Sequence, residues 1–307
     1  MMKLFKNRGD IYIPKSNYKS SREALILHIL LIIIVLFTIA FVILLSHKYS
    51  SVAEFFGKGE VTVSENNVVE ENLPKIEGKT NFLIFETDDE KTTIHYALLI
   101  QADKSSKAYK VCALSPKMKI KDKSINDIYL DGGGASLQTK LTEYFGFEID
   151  YFADFDNSSF VDFVSKLGSF ILPVEKEINF SGGKDDDKYS LHIGDGEQNV
   201  DSRALSNLLR YYTEEKKNYA LVNETALYAL TSLFNEENYE DSEALFRLFV
   251  KSSVTNITVR NFENNKDSLY VFCKLNNEIT VYSALCEYKS NVLTQNSVKD
   301  IKGYFNK

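Results

Sequence analysis

Much that would make a function class easy to read is missing from this chain. Its three cysteines, Cys112, Cys273 and Cys286, are an odd number with no CxxC or other metal-ligand spacing, which excludes a disulfide scaffold and a cysteine-held zinc site. Buried free thiols are the expectation, with one bridge, for example between Cys273 and Cys286, left open. Beyond the N-terminus positive charge is outweighed by negative. Residues 1–22 hold six Lys or Arg against one Asp, so in a chain of net −7 the rest carries −12. A nucleic-acid binder needs a basic surface to neutralise phosphates, and this acidic balance argues against one. There is no Walker loop, GxGxxG, HExxH or GxSxG, no internal repeat and no low-complexity tract, so no local motif names a reaction.

What is present begins with the apolar run Ala24–Leu45, interrupted by one ionisable residue, His28. As a helix at ~1.5 Å per residue it would span ~33 Å, the thickness of a bilayer core. It is too long for a signal-peptide apolar region, and no convincing cleavage site follows. The expectation is an uncleaved transmembrane helix over 24–45, with a basic tail over 1–23 in the cytoplasm. Everything after about His47 is then extracytoplasmic.

Residues 46–80 read as a polar linker, with a short strand at Val61–Val63. Asn81–Phe85, NFLIF, is a strand buried on both faces. Tyr96–Gln101 and Ala108–Leu114 flank the turn-rich ADKSSK as a hairpin. Gly132–Gly134 precede an amphipathic helix carrying Leu137, Leu141, Tyr144 and Phe145, closed by Gly146. Phe147–Asp156 alternates like a strand with one buried face, and Asn157 or Ser158 caps the next helix. Ile171–Phe180 reads as strand, Asp201 or Ser202 caps a helix through Tyr212, and further helices cover Tyr219–Phe234 and Ser242–Lys251. A last hairpin pairs Ser268–Leu275 with Glu278–Leu285. The alternation predicts an α/β fold, a central mixed sheet flanked by helices.

Single residues say less. Asp88 and Asp89 end a strand and could hold a divalent cation, although a solvated loop pair is the commoner meaning. Gly133 lies in a glycine cluster that can cradle phosphate, but a tight turn before a helix is the more frequent role. Arg210 lies off the apolar stripe of its helix, either solvated or aimed into a cleft. His95 stands alone, and a lone histidine is more often structural than catalytic.

Whole segments carry more. NFLIFETDD, YALLIQADKSSKAYKVCALSP, SINDIYLDGGGASLQTKLTEYFGFEIDYFADFDNSSFVDFVSKLG, DSRALSNLLRYY and SSVTNIT, in this order behind one anchor, resemble the LytR-CpsA-Psr family of cell-envelope proteins over about residues 81–262. In that likeness SINDIYL corresponds to a strand; residues 263–307, beyond it, read as a C-terminal hairpin and tail. The resemblance implies transfer of a glycopolymer, such as teichoic acid, from a polyprenyl-phosphate carrier to peptidoglycan. Such a site needs cations on a pyrophosphate, a divalent metal such as Mg2+ if active, and an apolar tunnel for the lipid. It implies Asp88 as metal ligand, and Arg210, Lys117 and Gly133 on the substrate, the first two catalytic. Yet the family's Arg-Ser-Asp is about Thr93, Ile94 and His95 here, and its Pro-Arg-Asp is Pro116, Lys117 and Met118. Tyr211 or Tyr212 replaces a second arginine, and a later Gly-Asp-x-x-Arg is absent. Three readings follow: a catalytically degenerate paralogue that binds the glycopolymer or scaffolds its attachment beside other envelope-assembly proteins; an active phosphotransferase; or a single-pass sensor or assembly subunit with an unrelated α/β ectodomain. An aromatic tunnel opening beside Asp88 and Arg210 would favour the first two.

Overall fold

The computed structural model describes residues 73–184 and 187–306. The basic tail, the apolar run, most of the linker and the strand at Val61–Val63 lie outside them. Among the described residues, no helix is long and apolar enough to cross a membrane.

NFLIF forms the middle of β1 (Lys79–Thr87), which pairs antiparallel with β2 (Ile94–Asp103), and β2 with β3 (Ala108–Leu114). The register sets Phe85 opposite Ala97, and Ala97 opposite Leu114. After β3 comes α1 (Ile125–Phe145), then β4 (Tyr151–Asp156), parallel to β1. The chain continues through α2 (Asn157–Leu167), β5 (Phe170–Val174), β6 (Ile178–Lys184), β7 (Asp187–Ile193) and β8 (Gly196–Val200). Helices α3 (Ser202–Glu214), α4 (Tyr219–Leu233), α5 (Glu236–Glu240) and α6 (Ser242–Ser252) follow. Strand β9 (Val254–Thr255), helices α7 (Val259–Asn264) and α8 (Lys266–Lys274), strand β10 (Thr280–Ser283) and α9 (Gln295–Asn306) complete the unit. The main sheet has the order β9-β4-β1-β2-β3-β10 and is mixed.

Both faces of the sheet are covered, which is why β2 is apolar almost throughout. One face buries Leu83, Phe85, Leu99 and Leu114 with Leu137 and Leu141 of α1 and Ile301 and Phe305 of α9. The other buries Tyr96, Leu98 and Ile100 with Phe160 of α2, Leu208 of α3 and Val222 of α4. Each such side chain stabilises the fold by about 1.5–3 kcal/mol.

Several local expectations are corrected. SINDIYL is helical, because Ser124 caps α1 and exchanges hydrogen bonds with Asp127 in a capping box. The helix breaks at Gly132–Gly133 and resumes at Gly134. Gly133 has φ +66°, and a Cβ on Gly134 would lie 2.5 Å from the Phe152 ring, so a turn and a close approach explain two of the three glycines. Strand β4 is buried on both faces, since α1 covers one side and helices the other; Phe152 and Asp154 are as hidden as Ala153 and Phe155. Asp156, not Asn157 or Ser158, caps α2, by accepting from Ser159 N. The run at 171–180 splits into β5 and β6.

The last hairpin is not formed. Leu269, Phe272 and Cys273 recur at helical spacing and all line one cavity, which a strand, sending neighbours 272 and 273 to opposite faces, could not do. Thr280–Ser283 instead joins the main sheet, parallel to β3. The end of α9 is tied to that sheet by Gln101 Nε2 donating to Phe305 O at 2.7 Å and Lys110 Nζ to Tyr304 O at 3.1 Å.

Candidate functional site

The carboxyl end of β1, the start of β2, the loop after β3, the β6–β7 hairpin and α3 meet around a polar cleft of about 980 Å³. Open α/β sheets place ligands at this edge. Asp88, Lys117 and Arg210 all line it; Gly133 does not. Five carboxylates, Asp88, Glu90, Asp187, Glu214 and Glu215, face three cations, Lys117, Arg210 and Lys217.

Arg210 is buried, 4% exposed. Its Nη1 donates to Asp187 Oδ1 at 2.7 Å and its Nη2 to Asp187 Oδ2 at 2.5 Å and Asp187 O at 3.1 Å. Its Nε donates to Glu214 Oε2 at 3.0 Å, and the guanidinium lies 4.3 Å from the Tyr189 ring centroid. Four of the five N–H donors an arginine owns are thus engaged within the protein. Burial alone would lower the pKa of Arg210, but its hydrogen bonds and the two carboxylate charges raise it above the ordinary value. The Asp187 carboxylate makes the bidentate contact that an arginine offers a phosphate.

His95, fully buried, completes the cluster. Its Nδ1 donates to Glu214 Oε1 at 2.8 Å, and Nε2 stands 3.4 Å from Asp187 Oδ2. Although burial pushes the Glu214 carboxyl upward, the His95 hydrogen bond and the Arg210 charge hold it below its usual range. Sequence reasoning left His95 isolated, because its partners lie far along the chain. The usable signal was that the segment aligning with the family's Arg-Ser-Asp ends in a histidine.

Asp88 has another task. Its Oδ1 accepts from Thr92 N at 2.6 Å and Thr93 N at 3.1 Å, and its Oδ2 from Thr92 Oγ1 at 2.5 Å. Burial opposes ionisation, but these bonds hold the carboxyl below its ordinary pKa. They close the β1–β2 loop around the side chain. Among the described residues, no three His, Cys, Asp or Glu side chains are grouped to hold a metal ion. Lys117 is exposed at the cleft, while Met118 is fully buried in the core beneath.

Below the cleft lies Glu86, wholly buried and unnoticed in the sequence as the end of an apolar run. Its carboxylate accepts from Tyr96 Oη at 3.1 Å, Asn157 Nδ2 at 3.0 Å and Ser206 Oγ at 3.0 Å. Burial raises its pKa from 4.5 to about 6, and those donors temper the rise.

A second, apolar cavity of about 300 Å³ lies between the sheet and α2, α4, α6, α7 and α8, lined by Phe82, Tyr109, Phe163, Phe234, Phe246 and Phe272 among others. It shares no lining residue with the polar cleft. Along that face of β2, Tyr96 and Leu98 lie between Ile100 of the cavity and the cleft end of the strand, packed with Phe160 and Leu209. The aromatic lining expected beside Asp88 and Arg210 lies instead in this cavity, farther along the same face of the sheet.

A mixed sheet between two helical layers, with a polar cleft at the carboxyl end of β1 and an apolar chamber under one face, defines an α/β domain of layered architecture. The chain belongs to the LytR_cpsA_psr family, whose model matches residues 60–220, a family known for attaching glycopolymers to the cell wall. No curated protein matches. Among solved structures it is similar to a putative transcription regulator from Eubacterium siraeum (15% identity, TM-score 0.67, covering 81% of this chain and 99% of that one). Bacillus subtilis TagV is similar at 14% identity and TM-score 0.57, covering 75% and 97%. TagT bound to LI-WTA is similar at 12% identity and TM-score 0.55, covering 81% and 98%. At such identities the likeness establishes the fold alone, and the family match sets aside an unrelated ectodomain.

Proposed function

We propose that this protein is a membrane-anchored, extracytoplasmic member of its family that binds a polyprenyl-linked glycopolymer, or scaffolds or regulates its attachment to peptidoglycan, without catalysing the transfer. The observation that carries the reading is the commitment of Arg210 to Asp187 and Glu214. A pyrophosphate entering the cleft would meet more carboxylate than cation, and would have to displace an internal anion already seated on the guanidinium. Each well-placed donor to a developing charge is worth ~3–4 kcal/mol in a transition state, and the arginines of the family's other motifs are replaced here. The aromatic chamber supports lipid binding, since it offers a prenyl chain an almost wholly apolar lining. The glycopolymer partner is in keeping with TagT, a structural relative bound to LI-WTA. Ala24–Leu45 would hold the domain at the membrane beside other envelope-assembly proteins.

The alternative, an active phosphotransferase, is favoured by one observation: Lys117 reaches the same cleft as Arg210 and Asp88. It requires Asp187 to withdraw and Asp88 to hold Mg2+. The test is transfer from a polyprenyl-pyrophosphate oligosaccharide to peptidoglycan with Mg2+, run beside direct binding of the same lipid. Binding without turnover, weakened by Ala102→Trp in the chamber, is expected. Robust turnover abolished by both Asp88→Ala and Arg210→Ala would overturn the degenerate reading.

A further inference from the structure

Two of the three thiols meet. Ser283 of β10 lies opposite Val111 of β3, and Ala284 N donates to Val111 O at 2.9 Å, extending the pairing by one bond. That places Cys286, two residues on, against Cys112 in the middle of β3, with Sγ to Sγ at 3.2 Å. Cys112 is fully buried, whereas Cys286 is half-buried and lines the polar cleft. Its neighbour Tyr288 also faces the cleft, accepting from Ser115 N at 2.9 Å through its hydroxyl oxygen. Cys273 sits apart, buried in the lining of the aromatic chamber. The chemistry is asymmetric. The hydrogen bond from Cys112 holds the Cys286 thiol below its ordinary pKa, while that bond and burial push Cys112 up, and burial pushes Cys273 up to about 12.

We propose that Cys112 and Cys286 are a redox pair that a small-molecule or protein disulfide oxidises to an intramolecular bond, bracing the 284–288 wall of the cleft onto β3. The accessible Cys286 thiolate attacks the disulfide donor, giving a mixed disulfide and one released thiolate. The Cys112 sulfur then attacks Cys286 Sγ and expels the second thiolate. The two thiol protons pass to the released thiolates, so two protein thiols are oxidised as one donor disulfide is reduced. The bond would join residues 174 apart, a span for which cross-linking restricts the unfolded chain strongly.

The experiment uses the purified full chain, reduced and then treated with oxidised glutathione. Peptide mass mapping is expected to show one cross-linked species joining the Cys112 and Cys286 peptides, lighter by two hydrogen atoms, with Cys273 still open to alkylation after denaturation. The thermal midpoint should rise by at least about 5 °C on oxidation, with no rise in Cys286→Ser and the full rise in Cys273→Ser. Should Cys112→Ser fail to fold, Cys286→Ser and the wild-type redox pair of measurements suffice. A stable glutathione adduct on Cys286, pairing with Cys273, or two thiols that remain alkylatable after oxidation would each overturn the proposal.

Discussion

Replacing Glu86 by Gln should make the protein more stable at neutral pH and leave it nearly unchanged in mild acid. The fold raises this carboxyl from 4.5 to about 6, so the folded state keeps its proton when the unfolded chain has already lost it. Stability from this group is full below about 4.5 and is lost as pH rises through about 6. The shift corresponds to about 2 kcal/mol. Glutamine preserves the geometry: its carbonyl oxygen can still accept from Asn157 and Ser206, and its amide can donate to the Tyr96 hydroxyl oxygen in place of the bond that Tyr96 now donates. Urea unfolding of both proteins from mild acid to slightly alkaline pH should therefore show coincident curves at the acid end. They should diverge to about 2 kcal/mol in favour of Glu86→Gln above pH 7, or roughly 4–8 °C in thermal midpoint for a domain of this size. A difference independent of pH, or a wild type more stable than the variant at neutral pH, would refute the reasoning.

Asp187→Ala, by unseating the internal anion, should raise the affinity of the full chain for inorganic pyrophosphate at least about tenfold in calorimetric titration; equal affinities would show that Asp187 does not guard Arg210. Gly133→Ala forces a Cβ onto a backbone at φ +66° and ψ −168°, a conformation nearly confined to glycine, and should cost about 1–3 kcal/mol, whereas Gly134→Ala drives one into the Phe152 ring and should cost up to about 3 kcal/mol; the denaturation midpoints of the two variants check both. Asn223 is wholly buried and bridges two strands, accepting from Ala113 N at 2.6 Å and donating to Ala284 O at 2.9 Å. Asn223→Ala should lose about 2–3 kcal/mol by leaving both groups unpaired, and a loss under half of that would deny the bridge its weight.

Elements whose signal is local were legible in the sequence. NFLIF, the hairpin around ADKSSK and the stripe after Asp201 each state their own structure through periodicity and capping. SINDIYL departs from the strand that the family likeness implies because the Ser124–Asp127 capping box, a signal written in the chain, starts a helix there. The segment at 268–275 is helical and not a strand because its apolar residues answer to a cavity built from distant helices. At the site, the resemblance implies four residues, of which Asp88, Lys117 and Arg210 line one cleft and Gly133 does not. What the sequence could not disclose is that Arg210 is already occupied. The anions that neutralise it are Glu214, four residues on in the same helix and so at a spacing the sequence does offer, and Asp187 of β7; no spacing rule connects Asp187 to Arg210, or His95 to Glu214, which are 119 residues apart.

The placement of Thr280–Ser283 beside β3 has a consequence in time. In the register of β10, Thr280 pairs with Ala108, so an edge laid down early waits for nearly the whole domain to be synthesised before its neighbour exists. Contacts of such sequence separation close slowly, and an unpaired strand edge is a template for pairing with another chain. The interval between emergence of β3 and arrival of β10 is thus a window in which that edge lacks its native neighbour. A chain truncated before residue 280 would remain in that window permanently.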